Sequence, residues 1–149
     1  GCNVTIPHKI AVGPHLDTIS RGASRVGAIN CVYEQQGRIV GDNTDVEGVI
    51  EAIAGKRELQ GGTACLIGSG GAARAALHVL QDFRLNDVLI LSRDPDRAAQ
   101  IAKHFDVFGI GAPLETNVDG TLAEGDLLIN ASPLGMTGKA EMPAPILSG

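Results

Sequence analysis

The chain has 149 residues, which is enough for one ordinary domain or for two small or incomplete ones. Hydrophobic residues make up 44% and charged residues 19%, so the chain can bury a core and is not a disordered segment. A net charge of −5 and an aromatic content of 3% argue against a nucleic-acid surface and against an anionic membrane as the partner.

The first half of the chain predicts a small α/β unit. Its predicted elements are a strand over 3–6, a helix over 15–26, strands over 28–34 and 38–41, and a helix that begins near Val46 and ends around Gly55. Asn43, Thr44 and Asp45 are all candidates for the N-cap of that last helix. The segment 35–37 between the last two strands is short and contains glycine, which favours a hairpin. The polar segment 56–62 that follows is typical of a linker.

The second half alternates strands and helices. Its predicted elements are a strand over 63–67, a helix that includes Ala76 and Leu80, a strand over 87–91, a helix opened by Asp94-Pro95, a weak strand over 106–111 and a strand over 126–130. The strand over 63–67 is continuously apolar, as expected of a strand buried on both faces. This alternation favours a parallel α/β sheet.

A glycine-rich segment follows the first strand of the second half. Gly68, Gly70 and Ala73 match the G-x-G-x-x-G/A pattern of loops that hold the pyrophosphate of a dinucleotide. The pattern stands between a predicted strand and a predicted helix, which places the pyrophosphate at the positive end of that helix. The alternative is an ordinary tight turn between the two elements.

The end of the next strand bears on the choice between NAD and NADP. An NAD enzyme usually carries an acidic residue there, whereas this chain has Ser92, then Arg93, with Arg97 one helical turn later. Two guanidinium groups suit a 2′-phosphate, so NADP is favoured. Asp94 places a negative charge beside them, and the alternative is that both arginines are solvated surface residues.

Four polar residues of the first half lie at the ends of predicted elements. They are Thr5, Lys9, Asn30 and Asp45. A lysine and an aspartate in one cleft can form a proton-transfer pair. The alternatives are ordinary, because Asp45 could only cap its helix, Asn30 could only support a turn and Lys9 could be a surface charge.

Five segments together resemble the shikimate dehydrogenase / quinate dehydrogenase family. They are Asn3–Lys9, Gly27–Asn30, Gly41–Asp45, Gly68–Ala72 and Asn130–Met136. They occur in the order of the family across the whole chain. The resemblance implies two α/β domains with a cleft between them: residues 1–60 as the C-terminal part of a substrate-binding domain with a connecting helix, and residues 61–149 as an incomplete Rossmann-type NADP-binding domain.

The resemblance also implies an activity and residue roles. The implied reaction is the reversible reduction of 3-dehydroshikimate to shikimate by NADPH, a step of chorismate and aromatic amino-acid biosynthesis. Lys9 and Asp45 match the catalytic residues of the family, and Thr5, Asn30 and Asp45 match its substrate-binding positions. The implied cofactor-binding residues are Gly68, Ser69, Gly70, Gly71, Ala72, Ser92, Arg93, Arg97, Ser132 and Met136.

Departures from the family pattern keep alternatives open. Ser92-Arg93-Asp94 stands where many NADP-dependent members have Asn-Arg-Thr, so an NAD-preferring quinate/shikimate or aminoshikimate dehydrogenase is one alternative. Cys31 stands where bacterial members often have threonine, with little consequence expected. A non-catalytic nucleotide-binding module is another alternative, although mere binding does not require the pair Lys9 and Asp45.

The family also carries segments that do not match this chain. They are an N-terminal βα segment with two serines that hold the substrate carboxylate, and a C-terminal helix with a substrate-binding glutamine. We therefore expect this chain to be an internal fragment that is not necessarily active alone. Its three cysteines lack CxxC spacing, which argues against a disulfide framework or a zinc site and favours the reducing cytoplasm. We expect a monomer or homodimer that takes a small-molecule substrate.

Overall fold

The computed structural model describes residues 1–53, 61–83, 85–107, 109–113, 116, 122 and 126–142. These residues form two four-stranded sheets, one from each half of the chain. Both sheets are accompanied by helices, so the expected α/β class is confirmed. Ala54 and Gly55, at the predicted end of a helix, lie outside the described residues, as does most of the predicted linker.

The first sheet is mixed. Its elements are β1 (Cys2–Asn3), a 3₁₀ helix (Gly13–His15), β2 (Thr18–Ile19), α1 (Arg21–Val26), β3 (Cys31–Gln35), β4 (Arg38–Asp42) and, after the sheet, α2 (Asp45–Ile53). The strand order is β1-β3-β4-β2, with β2 parallel to β4 and the other pairs antiparallel. The predicted hairpin is confirmed as β3–β4. Gln36 and Gly37 have φ values of 55° and 75°, as a two-residue turn of the type I′ class requires.

The predicted helix over 15–26 is wrong for its first turns. Helix α1 begins only at Arg21, because the Ser20 hydroxyl accepts a hydrogen bond from the Ala23 N–H at 3.1 Å and caps it there. The preceding residues hydrogen-bond to β4 instead, with the Asp17 N–H donating to the Ile39 carbonyl at 3.0 Å. The apolar spacing that suggested a helix thus belongs to an extended segment along the sheet.

Two other strand predictions in this half are too long. Strand β1 covers Cys2–Asn3 instead of the predicted 3–6, because the chain turns at Thr5, whose carbonyl accepts from the His8 N–H at 2.8 Å. The predicted strand over 28–34 begins only at Cys31. The residue before it, Asn30, hydrogen-bonds through its N–H to the Asp42 carbonyl at 3.0 Å.

The second sheet is entirely parallel, as predicted. Its elements are β5 (Thr63–Ile67), α3 (Gly71–Leu80), β6 (Asp87–Ser92), α4 (Pro95–His104), β7 (Gly109–Pro113) and β8 (Leu127–Asn130). The order is β7-β6-β5-β8. Strand β7 starts later than the predicted 106–111, because Asp106 adopts φ 50° at the end of α4. In the part of the chain that the structure describes, no helix has both the length and the apolar character needed to cross a membrane.

The strand order creates a switch point beside β5. The chain leaves β5 toward β6 and β7 on one side and returns to β8 on the other. Loops after the carboxyl ends of such strands diverge and leave a crevice where ligands bind. Strand β5 is buried on both faces, as its apolar run predicts, with Leu66 packing toward α3 and α4 and Ile67 on the opposite face.

The reactivity of the Cys65 thiol tests the burial of β5. Burial raises the pKa of the Cys65 thiol from 9.0 to about 11, whereas Cys2 is exposed. At pH 8 only about one Cys65 thiol in a thousand is then ionised, and the thiolate is the reactive form. Alkylation by iodoacetamide, followed by peptide mass mapping, should modify Cys2 much faster than Cys65. The two rates should converge in denaturant; comparable rates in the native protein would contradict the burial.

Candidate active site

The side chains of Lys9, Asn30 and Asp45 form one hydrogen-bonded cluster. The Lys9 Nζ lies 2.7 Å from Asp45 Oδ2, and the Asn30 Nδ2 donates to Asp45 Oδ1 at 2.8 Å. The side chains of Lys9 and Asp45 are 15% and 24% exposed, so the pair is partly desolvated but still reachable from solvent. The structure thus brings together three of the four polar residues singled out in the first half.

Backbone contacts around Asn30 hold this cluster in place. The Lys9 carbonyl accepts from the Ile29 N–H at 2.7 Å, which fixes Lys9 beside the start of β3. The Thr44 N–H donates to Asn30 Oδ1 at 2.9 Å, which brings the start of α2 to the same place. Two segments distant in the sequence, those of Lys9 and Thr44, therefore converge on residues 29–30.

Asp45 is the first residue of α2, and its carboxylate accepts from Lys9 and Asn30. Its position is set by Asn43, a buried residue whose Nδ2 donates to the Ala28 carbonyl at 2.9 Å and whose Oδ1 accepts from the Asp45 N–H at 3.0 Å. Sequence reasoning treated Asn43 only as a possible cap. The signal in the sequence was the run of Asp, Asn and Thr residues over 42–45, because such side chains often hydrogen-bond to nearby backbone groups.

Thr5 lies apart from the cluster. The Val4 N–H donates to the Asn30 carbonyl at 2.8 Å, so Thr5 follows immediately after the residue paired with Asn30. Thr5 is exposed, and its side chain forms no hydrogen bond with the other described residues. It borders the cluster without belonging to the hydrogen-bond network.

The glycine loop after β5 has the conformation that its sequence predicts. Gly68 has φ +113°, and a Cβ added there would lie 2.9 Å from the Ala131 carbonyl oxygen, so the loop closely approaches the segment after β8. A Cβ on Gly70 would meet nothing within 4 Å. Gly70 therefore borders open space at the start of α3, where a ligand could approach the backbone closely.

The N-terminus of α3 suits an anion. Side chains cap α1 and α4, but α3 has no side-chain cap and no acidic residue in its first turn. The first α-helical N–H groups have no partner within a helix, and they carry partial positive charge. Gly71, Ala72 and Ala73 present such groups beside the open space at Gly70.

Ser69 and Ser92 tie the loop to the end of β6. Their hydroxyl oxygens are 2.8 Å apart, and the Asp94 N–H donates to the Ser92 hydroxyl at 3.1 Å. Ser92 is only 5% exposed, so it supports the loop from beneath. The Asp94 carboxylate caps α4 by accepting from the Arg97 N–H at 3.0 Å. Arg93 and Arg97 are exposed, and neither forms an ion pair with another described residue.

Arg74 adds a third positive charge at this edge, which sequence reasoning missed. Its Nη1 donates to the Val26 carbonyl at 3.4 Å, at the end of α1. Burial lowers the pKa of the Arg74 guanidinium, and the charge of Arg97 lowers it further. The signal in the sequence was an arginine within an otherwise alanine-rich turn after the glycine loop.

The segment after β8 is folded back on Asn130. The Asn130 Oδ1 accepts from both the N–H and the hydroxyl of Ser132, at 3.0 and 2.7 Å, and its Nδ2 donates to the Leu134 carbonyl at 3.0 Å. The Ala131 N–H donates to the Ile67 carbonyl at 2.9 Å, which fixes the segment beside the glycine loop. Met136 is 60% exposed.

The polar cluster and the glycine loop meet at the start of α3. An added Cβ on Gly71 would lie 3.0 Å from both Cβ and Cδ of Lys9. A separate groove of about 350 Å³, lined by Leu80, Phe83, Leu85 and neighbouring residues, lies at the opposite edge of the sheet. We place the candidate site at the carboxyl edge, because the cluster, the open loop and the uncapped helix are found there.

A parallel sheet with a switch point, a glycine loop and a polar cluster at its carboxyl edge define a Rossmann-type α/β protein. Residues 50–135, more than half of the chain, match the family model described as Shikimate / quinate 5-dehydrogenase, and residues 1–32 match the Shikimate dehydrogenase substrate binding domain. The chain belongs to the shikimate/quinate 5-dehydrogenase family, which confirms the resemblance seen in the sequence.

Individual relatives agree with this assignment. A shikimate dehydrogenase (NADP(+)) of Shouchella clausii is 40% identical over 139 residues, covering 91% of this chain and 50% of that protein. The crystal structure of shikimate 5-dehydrogenase from Thermus thermophilus, in complex with NADP(H) and shikimate, superimposes with a TM-score of 0.70 at 39% identity, covering 90% of this chain and 48% of that one. Quinate dehydrogenase from Corynebacterium glutamicum, in complex with NAD, gives 0.73 at 28% identity, covering 91% and 50%. The chain thus spans about half the length of the relatives it matches.

Proposed function

We propose that this chain forms the catalytic cleft of an NADP-dependent dehydrogenase that reversibly reduces 3-dehydroshikimate to shikimate. The observation that carries the proposal is the Lys9–Asp45 ion pair, whose lysine lies across the start of α3. The names of the relatives support the same substrate and cofactor. We further propose that residues 1–60 belong to the substrate-binding domain and residues 61–149 to the nucleotide-binding domain.

The residues at the carboxyl edge of the second sheet fit a dinucleotide phosphate. When bound, that cofactor supplies or accepts the hydride. The loop from Gly68 to Ala72, including Ser69, Gly70 and Gly71, would hold the pyrophosphate against the N-terminus of α3. Arg93 and Arg97 would hold the 2′-phosphate, with Ser92 supporting the loop. The segment containing Ser132 and Met136 would lie beside the nicotinamide.

The polar cluster would move the proton and orient the substrate. As an ammonium, Lys9 can donate a proton to the carbonyl oxygen during reduction and stabilise the negative charge that develops there. Asp45 would orient Lys9 and accept a hydrogen bond from a substrate hydroxyl. Asn30 donates to Oδ1 of the Asp45 carboxylate and so holds it in place. Thr5, at the exposed border of the cluster, would contact the substrate directly.

Turnover with matched pairs of substrates and cofactors tests the proposal. The complete gene product should oxidise shikimate with NADP⁺ faster than with NAD⁺, measured at the absorbance of the reduced nicotinamide. Quinate should be oxidised more slowly than shikimate. If the complete gene product binds NADP⁺ but turns over none of these substrates, the result would favour a non-catalytic nucleotide-binding module.

The second candidate is an NAD-preferring quinate/shikimate or aminoshikimate dehydrogenase. Asp94 favours it, because a carboxylate beside the ribose site disfavours a 2′-phosphate. In the structure, the Asp94 carboxylate caps α4, and the neighbouring Arg93 and Arg97 remain without an acidic partner among the described residues. This arrangement supports NADP as the preferred cofactor.

Replacing Arg93 with alanine tests the 2′-phosphate site. We expect the KM for NADP⁺ to rise by about tenfold or more, a loss of at least ~1.4 kcal/mol, while the KM for NAD⁺ changes little. Arg38→Ala, at an exposed position of the first sheet, is the matched control and should change neither. An equal effect of Arg93→Ala on both cofactors would contradict the assignment.

Location and assembly are further proposals. All three cysteines of the chain are free thiols, which fits the reducing cytoplasm. A monomer or homodimer is the proposed state. Size-exclusion chromatography with light scattering of the complete gene product would test it.

A further inference from the structure

Gly71 is a glycine that its own backbone does not require. It is the first residue of α3, and its φ lies outside the left-handed region. Glycine also loses more conformational freedom on folding than any other residue, which makes it a costly choice where its special backbone conformations are not used. A reason other than backbone conformation must therefore favour the absence of a side chain at Gly71.

The nearby glycines of the loop have different reasons. Gly68 has φ +113°, and a Cβ there would lie 2.9 Å from the Ala131 carbonyl oxygen, so both backbone conformation and packing require glycine. Gly70 borders open space on the side where a phosphate would approach. A side chain on Gly71 would point elsewhere, into the packing between the two sheets.

The neighbours of Gly71 belong to the first half of the chain. An added Cβ would lie 3.0 Å from Lys9 Cβ, 3.0 Å from Lys9 Cδ and 3.4 Å from Ala28 Cβ. Gly71 is buried beneath these groups. The aliphatic part of Lys9 thus lies directly across the first residue of the helix that follows the glycine loop.

The other end of Lys9 is fixed as well. Its Nζ lies 2.7 Å from Asp45 Oδ2, and its carbonyl accepts from the Ile29 N–H. A methyl group on Gly71 would push the middle of a side chain that is held at both ends, and the amine, at the flexible end, would shift away from Asp45. We infer that Gly71 is a positioning residue, whose missing side chain allows Lys9 to reach its reactive place; the kinetic part of this inference rests on the proposed function of Lys9.

The first test measures the position of Lys9 without any turnover. Limited acetylation of the complete gene product with acetic anhydride, read by peptide mass mapping, gives the reactivity of Lys9 relative to the exposed Lys103 and Lys139. In Gly71→Ala the displaced amine should pair less closely with Asp45, and its relative labelling should rise about threefold or more. Gly48→Ala is the matched control, because Gly48 is also helical but a Cβ there meets nothing within 4 Å.

The second test separates an effect on Lys9 from an effect on cofactor binding. Gly71→Ala should lower kcat roughly tenfold, since sub-ångström misplacement of a reacting group is costly, and should leave the KM for NADPH within about twofold. Gly48→Ala should change neither value. In a Lys9→Ala background, Gly71→Ala should lower kcat little further, because the residue through which it acts is gone.

The outcomes distinguish this inference from the proposed function. If the unsubstituted protein turns over no substrate, the proposed function fails, and the labelling ratio alone decides the packing role of Gly71. Unchanged labelling of Lys9 in Gly71→Ala would overturn the inference, as would a raised KM for NADPH with kcat unchanged. An unfolded Gly71→Ala protein would also overturn it, because the flexible lysine is expected to yield before the fold does.

Discussion

Replacing Lys9 with alanine is expected to lower kcat by about 10²–10⁴-fold, the usual size of acid–base catalysis. The ammonium interacts most strongly when charge develops on the substrate oxygen, so the KM for shikimate should change much less than kcat. Steady-state kinetics on the complete gene product, with thermal melts alongside, measure both effects. Lys103→Ala, at an exposed position of α4, is the control and should retain normal turnover.

Asp45 extends this test to the ion pair. Asp45→Asn should also lower kcat, because the amide keeps the shape but cannot accept a proton or pair with an ammonium. Since the two side chains are 2.7 Å apart, the kcat of the double variant should be little lower than that of the less active single variant. If Asp45 only stabilised its helix, the change would cost at most about 0.3–1 kcal/mol of stability, from the lost charge at the helix N-terminus, and would leave kcat intact, because asparagine caps a helix about as well as aspartate. Near-normal kcat in Lys9→Ala would end the catalytic assignment.

Replacing Gly70 with valine is expected to abolish dinucleotide binding while the protein still folds. The new side chain would fill the open space beside the N-terminus of α3, where the pyrophosphate is proposed to lie. The backbone at Gly70 is extended, with φ −92° and ψ −163°, so valine fits it without strain. Calorimetry with NADP⁺ should show a loss in affinity of at least roughly 100-fold, or about 2.8 kcal/mol, with little change in Tm.

Gly68 provides the contrasting variant. Gly68→Ala forces a side chain into φ +113° and to within 2.9 Å of the Ala131 carbonyl, so the free energy of unfolding should fall by roughly 1–3 kcal/mol. The two glycines of one motif should thus separate stability from binding. Unchanged NADP⁺ affinity in Gly70→Val would refute the phosphate-loop interpretation.

The second half of the fold was predictable because its signals are local. Strand β5 is continuously apolar, the glycine pattern follows it, and Asp94-Pro95 opens α4 with a side-chain cap. The parallel order follows from the alternation of strands and helices. Strand β7 was displaced by a few residues, because the left-handed Asp106 carries no clear signal in the sequence.

The first half was less predictable because its short strands depend on pairing. The residues of β2 are extended because they hydrogen-bond to β4, a contact between segments about twenty residues apart. The apolar spacing of the same residues is compatible with a helix, and only the cap at Ser20 decides where α1 begins.

The candidate site shows the same division. The family motifs identified Lys9, Asn30 and Asp45, but their hydrogen bonds connect segments that no local pattern relates. Asn43 and Arg74 were missed as site residues because their contacts, with Ala28 and with Val26, form only when the chain is folded. Burial and partner identity are tertiary properties, so residue type alone could not reveal them.

Helix α2 joins the two sheets mechanically. Its start is hydrogen-bonded to the first half of the chain through Asn43 and Thr44. Further along the helix, Val49 packs against the hydrophobic core of the second half. Any rotation of one sheet relative to the other must therefore bend α2 or strain the hydrogen bonds of Asn43 and Thr44 at its start. Lys9 is held by the first half of the chain through the Ile29 N–H, and Gly71 begins α3 in the second half, so the distance between these two residues would report such a rotation most directly.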